Sequence, residues 1–149
     1  MKHIIILTSE TSYTMAKKIQ MDLPNAQLFS KNKLEGCKTI TSVSQCVADF
    51  FDKCDSIIFI GAMGICIRAI APHIKDKHTD PAVICVDSTG QHVISVLSGH
   101  VGGANDLTKQ IAHIVGGKAV ITTQSDNTDL WALDTLGEKS GWKTTSSVD

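Results

Sequence analysis

Short β-branched runs alternate along this chain with stretches whose apolar residues recur at helical spacing, and that alternation leaves few architectures open. Residues 3–8 read as a strand buried on both faces, followed by Met15, Ile19 and Leu23 at helical intervals behind polar Thr11 and Ser12. Residues 26–29 suit a second strand. Ser42 then precedes Val43, Val47, Phe50 and Phe51, which fall on one helical face. Residues 56–60 are a strong strand signal. Gly61 interrupts it, and residues 64–71 form a short helix that Pro72 should end. Residues 75–80 are expected to be an exposed loop. The runs 82–87 and 92–97, joined by Ser88-Thr89-Gly90, suit an antiparallel hairpin. Residues 105–115 carry Leu107, Ile111, Ile114 and Val115 on one face before the stop at Gly116-Gly117, and 119–121 is a further strand. Beyond it, Trp131, Leu133 and Leu136 make a weakly helical pattern, and the polar residues 143–149 suit a terminus or the opening of a linker to a further domain.

Parallel strands need crossovers, and crossovers cover both faces of a sheet. The expected fold is therefore α/β, a three-layer α/β/α sandwich whose sheet is mostly parallel and mixed where the hairpin joins it. At 149 residues, 42% of them hydrophobic, the chain can bury one substantial core but not two, so residues 1–149 are expected to be one domain. The net charge of -1 supplies no global field, so neither nucleic acid nor a membrane is an expected partner and any anion must be recognised locally. Cys37, Cys46, Cys54, Cys66 and Cys85 are an odd set without a C-x-x-C pair, which argues against a disulfide framework or a zinc cluster and for a reducing cytoplasm. The apolar start is too short for a signal peptide's core, and glycines, Arg68 and Pro72 break the longest apolar region, 57–74.

Three segments can carry chemistry. Gly61-Ala62-Met63-Gly64 lies between a strand and a helix, where small residues let backbone N–H groups approach an anion. Arg68 follows one turn later, able to grip a carboxylate bidentately. The competing reading is a plain glycine turn beside a surface arginine. Leu97-Ser98-Gly99-His100-Val101-Gly102-Gly103-Ala104-Asn105 joins a strand to the most amphipathic helix. The positive end of that helix would hold His100 neutral, fit to act as a base, and would favour an oxyanion with Ser98 or Asn105 as further donors. A structural turn would use the same residues. Thr122 and Thr123, with Asp126 close behind, can orient a ligand or simply make caps. Asp87, Ser9 and Glu10 end strands and suit turns. No set of His, Asp and Cys spacings makes a metal site, and no cofactor is expected.

The stretches G-A-M-G-I-C-I-R-A-I-A-P (61–72) and L-S-G-H-V-G-G-A-N (97–105), with D-P-A-V-I-C-V-D-S-T-G (80–90) and I-T-T-Q-S-D (121–126) in order, resemble the N-terminal region of the CbiG family of cobalamin biosynthesis. The resemblance implies a cobalt-corrinoid substrate, cobalt-precorrin 5A, whose δ-lactone is opened by water with release of acetaldehyde. Cobalt then arrives with the substrate. It also implies further domains or other cobalamin-pathway enzymes as partners. In that setting His100 would be base or proton shuttle. Ser98 and the Gly102-Gly103 backbone would be oxyanion donors, Asp126 an orienting carboxylate, and Arg68 with the turn from Gly61 to Gly64 a carboxylate anchor, with Gly99, Gly103, Asn105, Thr122 and Thr123 around the substrate. Family members usually continue into further domains, and Gln124-Ser125 departs from the Ala-Thr expected there. A non-catalytic corrinoid-binding module is the alternative reading. A nucleotide site is disfavoured, since the phosphate-loop and dinucleotide fingerprints are missing.

Overall fold

The first strand, β1 (His3–Leu7), has all five residues buried, as a central strand covered on both faces requires. The computed structural model describes residues 2–98 and 103–122, which contain seven strands and four α-helices. After β1 come α1 (Tyr13–Asp22), β2 (Ala26–Ser30), β3 (Cys37–Thr39), α2 (Val43–Phe50) and β4 (Ser56–Ile60). They are followed by α3 (Met63–Ile70), β5 (Ala82–Val86), β6 (His92–Leu97), α4 (Ala104–Val115) and β7 (Lys118–Val120). One sheet holds every strand in the order β3-β2-β1-β4-β5-β6-β7. Pairing is parallel throughout except between β5 and β6, which are antiparallel as their three-residue turn predicts.

Alternation along the strands divides the core in two. Ile5, Leu7, Ile58, Ile60, Ile84 and Val86 point to the side of α1 and α4, with Ile19, Leu107 and Ile111. Ile4, Ile6, Ile57, Phe59, Val83 and Cys85 point to the side of α2 and α3, with Val47, Phe51, Cys66 and Ile70. Each such aliphatic side chain contributes about 1.5–3 kcal/mol of burial. The expected α/β/α sandwich with a mixed sheet is the fold found.

Local signals act where they stand. The Ser42 hydroxyl accepts from the Gln45 amide at 3.0 Å and starts α2. Pro72 ends α3, whose chain tightens into a single 3-10 turn over Ala71–His73. Gly116 takes a left-handed conformation at φ 74° and closes α4.

Two features depart from expectation. β3 had no counterpart in the sequence reading: it is three residues long, and residues 31–36 return the chain only far enough to pair Cys37 with Leu28. Residues 75–80 do form a loop, but its end is not exposed. Asp80 is buried, and its carboxylate accepts from the amides of Lys75 at 2.9 Å and Asp76 at 3.2 Å. The suggested helical pattern at 131–136 and the polar residues 143–149 lie outside the described residues. No helix among the described residues is long and apolar enough to cross a membrane.

Candidate functional site

Strand direction decides which segments meet. β1 and β4 are neighbours whose chains lead to opposite sides of the sheet, one to β2 and the other to β5, so a crevice opens beyond their carboxyl ends. Gly61 leaves β4 at that point. Its amide donates to Val86 O at 3.0 Å, and a Cβ there would lie 2.3 Å from Thr8 Oγ1. Thr8, the residue after β1, in turn donates from its hydroxyl to Ile60 O at 3.0 Å. The glycine is thus required by packing of the two strand ends, at a φ of 156°.

The next residues form the start of α3. Ala62 and Gly64 are exposed while Met63 packs on the core, and no side chain caps the helix. The guanidinium of exposed Arg68 folds back, its Nη1 3.4 Å from where a Gly64 Cβ would sit. The Arg68 side chain thus lies beside Gly64 in the first turn of α3, a helix with no side-chain cap, an arrangement suited to a carboxylate. Beneath it the Cys85 thiol donates to Gly61 O at 3.4 Å. A hydrogen bond with Cys85 and burial both push the Cys66 thiol up, so it has no nucleophilic character at neutral pH.

The second segment lies elsewhere. Because β6 runs against β5, it ends beside the amino ends of β1, β4 and β5, roughly 15 Å of strand away from Gly61. Ser98 follows it there with φ 58°, its hydroxyl donating to Asp80 O at 3.2 Å. Gly103, at φ 85° with open space around it, is the N-cap of α4. Asn105 is buried on the first turn of α4, where its Oδ1 accepts from the Ser95 hydroxyl at 2.8 Å. β7 is parallel to β6, so exposed Thr122 leaves the sheet at the same edge. Gly99, His100, Gly102, Thr123 and Asp126 lie outside the described residues.

The structure therefore brings Gly61, Ala62, Met63, Gly64 and Arg68 together at one edge, and Ser98, Gly103, Asn105 and Thr122 to the other. It does not bring Arg68 to Ser98. At the second edge a cleft of about 390 Å³ is lined by His3, Ser56, Asp22, Asp55, Gly103 and Asp106 among others. The sequence reading missed its central pair, His3 Nδ1 and Ser56 Oγ, buried and 2.6 Å apart. The residues are 53 positions apart and only the parallel pairing of β1 with β4 makes them neighbours. Burial lowers the His3 imidazole below its usual value, with Asp55 opposing in part. The three aspartates make this cleft unwelcoming to carboxylates. Asp87 serves the hairpin: hydrogen bonds from Thr89 and His92 outweigh its desolvation and hold it down to about 2.

A doubly wound α/β domain with a glycine turn at its switch point belongs to the broad class of ligand-handling α/β proteins. The profile of the cobalamin synthesis G N-terminal family matches residues 45–126, more than half of the chain, and the chain belongs to that family. It is 56% identical over 81 residues to a cobalt-precorrin-5A hydrolase of Salmonella typhimurium, covering 54% of this chain and 23% of that one. With the cobalt-precorrin-5A hydrolase of Priestia megaterium it shares 45% identity over 101 residues, covering 68% of this chain and 27% of the relative. The crystal structure of a cobalamin biosynthesis protein G homologue from Sulfolobus solfataricus superposes with a TM-score of 0.64 at 25% identity, covering 81% of this chain and 36% of that one. The matches thus span about a quarter of the length of the curated relatives.

Proposed function

We propose that this chain is the N-terminal part of a cobalt-precorrin-5A hydrolase, acting in the cytoplasm on a cobalt-corrinoid δ-lactone in anaerobic cobalamin biosynthesis. The identity of 56% to an enzyme of that name carries the reading. Water adds to the lactone carbonyl and the ring C–O bond breaks, leaving a carboxylate and a hydroxyl on the extruded carbon; that hydroxyl then loses its proton as the carbon–carbon bond to the macrocycle breaks, the macrocycle keeping the electron pair, and the carbon leaves with its methyl group as acetaldehyde. The chain needs a base for the water, donors for the oxyanion, and anchors for the carboxylate arms. His100 is the base in this proposal, with Ser98, the Gly102-Gly103 backbone and Asn105 as donors and Asp126 orienting the histidine. Gly99, Gly103, Thr122 and Thr123 surround the reacting end. Arg68 with the Gly61 to Gly64 turn is the carboxylate anchor, supported by the guanidinium lying beside Gly64 in the first turn of α3. Because the two segments leave opposite edges, the anchor acts on a different part of the ligand, or on a different ligand, from the base. Cobalt comes with the substrate, and no cofactor of the protein's own is invoked. Further parts of the polypeptide, or other enzymes of the pathway, are the proposed partners.

A corrinoid-binding module without turnover of its own is the second reading, favoured by the matches spanning about a quarter of the relatives' length. Anaerobic incubation of the purified chain with cobalt-precorrin 5A, following acetaldehyde and the corrinoid's mass, separates the two. Acetaldehyde together with the opened lactone supports the hydrolase. Tight binding without either product supports the module, and neither binding nor turnover refutes both.

A further inference from the structure

The amino rim holds a buried pair that the hydrolysis outlined above leaves unused. His3 opens β1 and Ser56 opens β4, and the parallel register sets them side by side. Both are more than nine-tenths buried, at 7% and 2% exposure, and His3 Nδ1 lies 2.6 Å from Ser56 Oγ. In the tautomer whose Nδ1–H donates to the hydroxyl, Nε2 carries the lone pair, and it has no hydrogen-bond partner among the described residues. Both residues line the cleft of about 390 Å³, and Gly103 and Asp106 share its wall, so the cleft adjoins the end of the 98–105 segment. The charged groups of that wall are Asp55 just before β4, Asp22 at the end of α1 and Asp106 in the first turn of α4. Asp55 and the amino-terminal charge act on the imidazole in opposite senses, and burial outweighs both.

These are the properties of a base that acts on an uncharged group. Burial keeps the imidazole neutral at rest, and the carboxylates favour the imidazolium once a proton has been taken. The same carboxylates repel an anionic arm but neither a lactone nor a hydroxyl. Resting on the hydrolase reading, we infer that His3 is a second catalytic base of this domain, taking the proton of the hydroxyl that lactone opening leaves on the extruded carbon. His3 Nε2 gains that proton, the electron pair of the O–H bond becomes the second bond of the acetaldehyde carbonyl, the carbon–carbon bond breaks, and its electron pair stays with the macrocycle. Ser56 holds the ring in both charge states, because Nδ1–H is a donor in each. His100 then serves the water alone, and the two proton transfers of the reaction have separate bases.

The test follows a single anaerobic turnover of cobalt-precorrin 5A, with the corrinoid's mass and acetaldehyde read separately. His3→Gln should still open the lactone but release acetaldehyde about a hundredfold or more slowly, so that a corrinoid heavier than the substrate by one water accumulates. His100→Ala should instead slow the opening. Acetaldehyde release by the unsubstituted chain should fall as pH drops through the imidazole's value. Asp55→Asn removes a charge that favours the imidazolium, and should move that acid limb to lower pH without moving the opening step. This second variant decides the matter if His3→Gln loses its circular dichroism, since Asp55 is exposed and asparagine can still accept from the Lys2 amide. Acetaldehyde at the parental rate from His3→Gln, equal slowing of both steps, or an acid limb indifferent to Asp55→Asn would overturn the inference while the hydrolase reading stands. An unsubstituted chain that opens no lactone would overturn both.

Discussion

Gly61→Ala tests the packing at the switch point most directly. The added Cβ would lie 2.3 Å from Thr8 Oγ1, 3.0 Å from its Cγ2 and 3.2 Å from its Cβ. Threonine is stiff at χ1, so the side chain cannot swing away freely. Rotating it breaks the 3.0 Å hydrogen bond to Ile60 O, a loss of about 1 kcal/mol. Overpacking adds about 1–3 kcal/mol. A φ of 156° adds about 1 kcal/mol for a residue with a Cβ. The single substitution should therefore destabilise by about 3–5 kcal/mol, a large part of a typical domain's stability. Thr8→Ala alone should cost about 1–2 kcal/mol, for a hydrogen bond and a methyl group. In the double variant the clashes with Oγ1 and Cγ2 are gone, while the 3.2 Å approach to the Cβ of residue 8, the lost hydrogen bond and the backbone cost remain, so the two changes should couple favourably by about 2–3 kcal/mol. Urea denaturation of the four proteins at equal temperature measures the cycle. Additivity within about 0.5 kcal/mol would refute the claim that Thr8 is what Gly61 accommodates.

Other consequences follow from single residues. His3 has a lowered folded-state value, so its neutral form stabilises the protein above the unfolded value near 6.5, and that contribution is lost as pH falls from there through the folded value. The urea midpoint should drop over that window, and His3→Leu should flatten the drop even if it lowers the midpoint throughout. Ser98 has φ 58° and a weak bond to Asp80 O, so Ser98→Gly should stay within about 1 kcal/mol of the parent while Ser98→Ala loses about 1–2 kcal/mol in thermal melts. Arg68→Ala should weaken corrinoid binding by about 1.5–3 kcal/mol, and its effect should add to that of His100→Ala in calorimetry, because the segments leave opposite edges.

Much of the architecture was legible because periodicity and punctuation agree. Ser42 caps α2, Pro72 stops α3, Gly116 ends α4, and β4 begins and ends where its apolar run does. β3 escaped because two of its three residues are exposed, and because parallel neighbours ordinarily need a long crossover, which so short a strand avoids. Asp80 escaped because a carboxylate that gathers two backbone amides looks like any loop acid in sequence. The candidate site was legible as segments but not as a place. The antiparallel hairpin, expected from Ser88-Thr89-Gly90, already implies that residues after β6 emerge opposite those after β4. Thr8 with Gly61 and His3 with Ser56 depend on strand register, which no local spacing carries.

The reversal between β5 and β6 also bears on mechanics. The two rims of this domain are joined by rigid strands, with β5 and β6 held by hydrogen bonds perpendicular to their length. A ligand drawing α3 toward the carboxyl rim and one drawing α4 toward the amino rim would load that single seam in shear. The bulge between Val83 and Ile84 is where the seam's register already shifts.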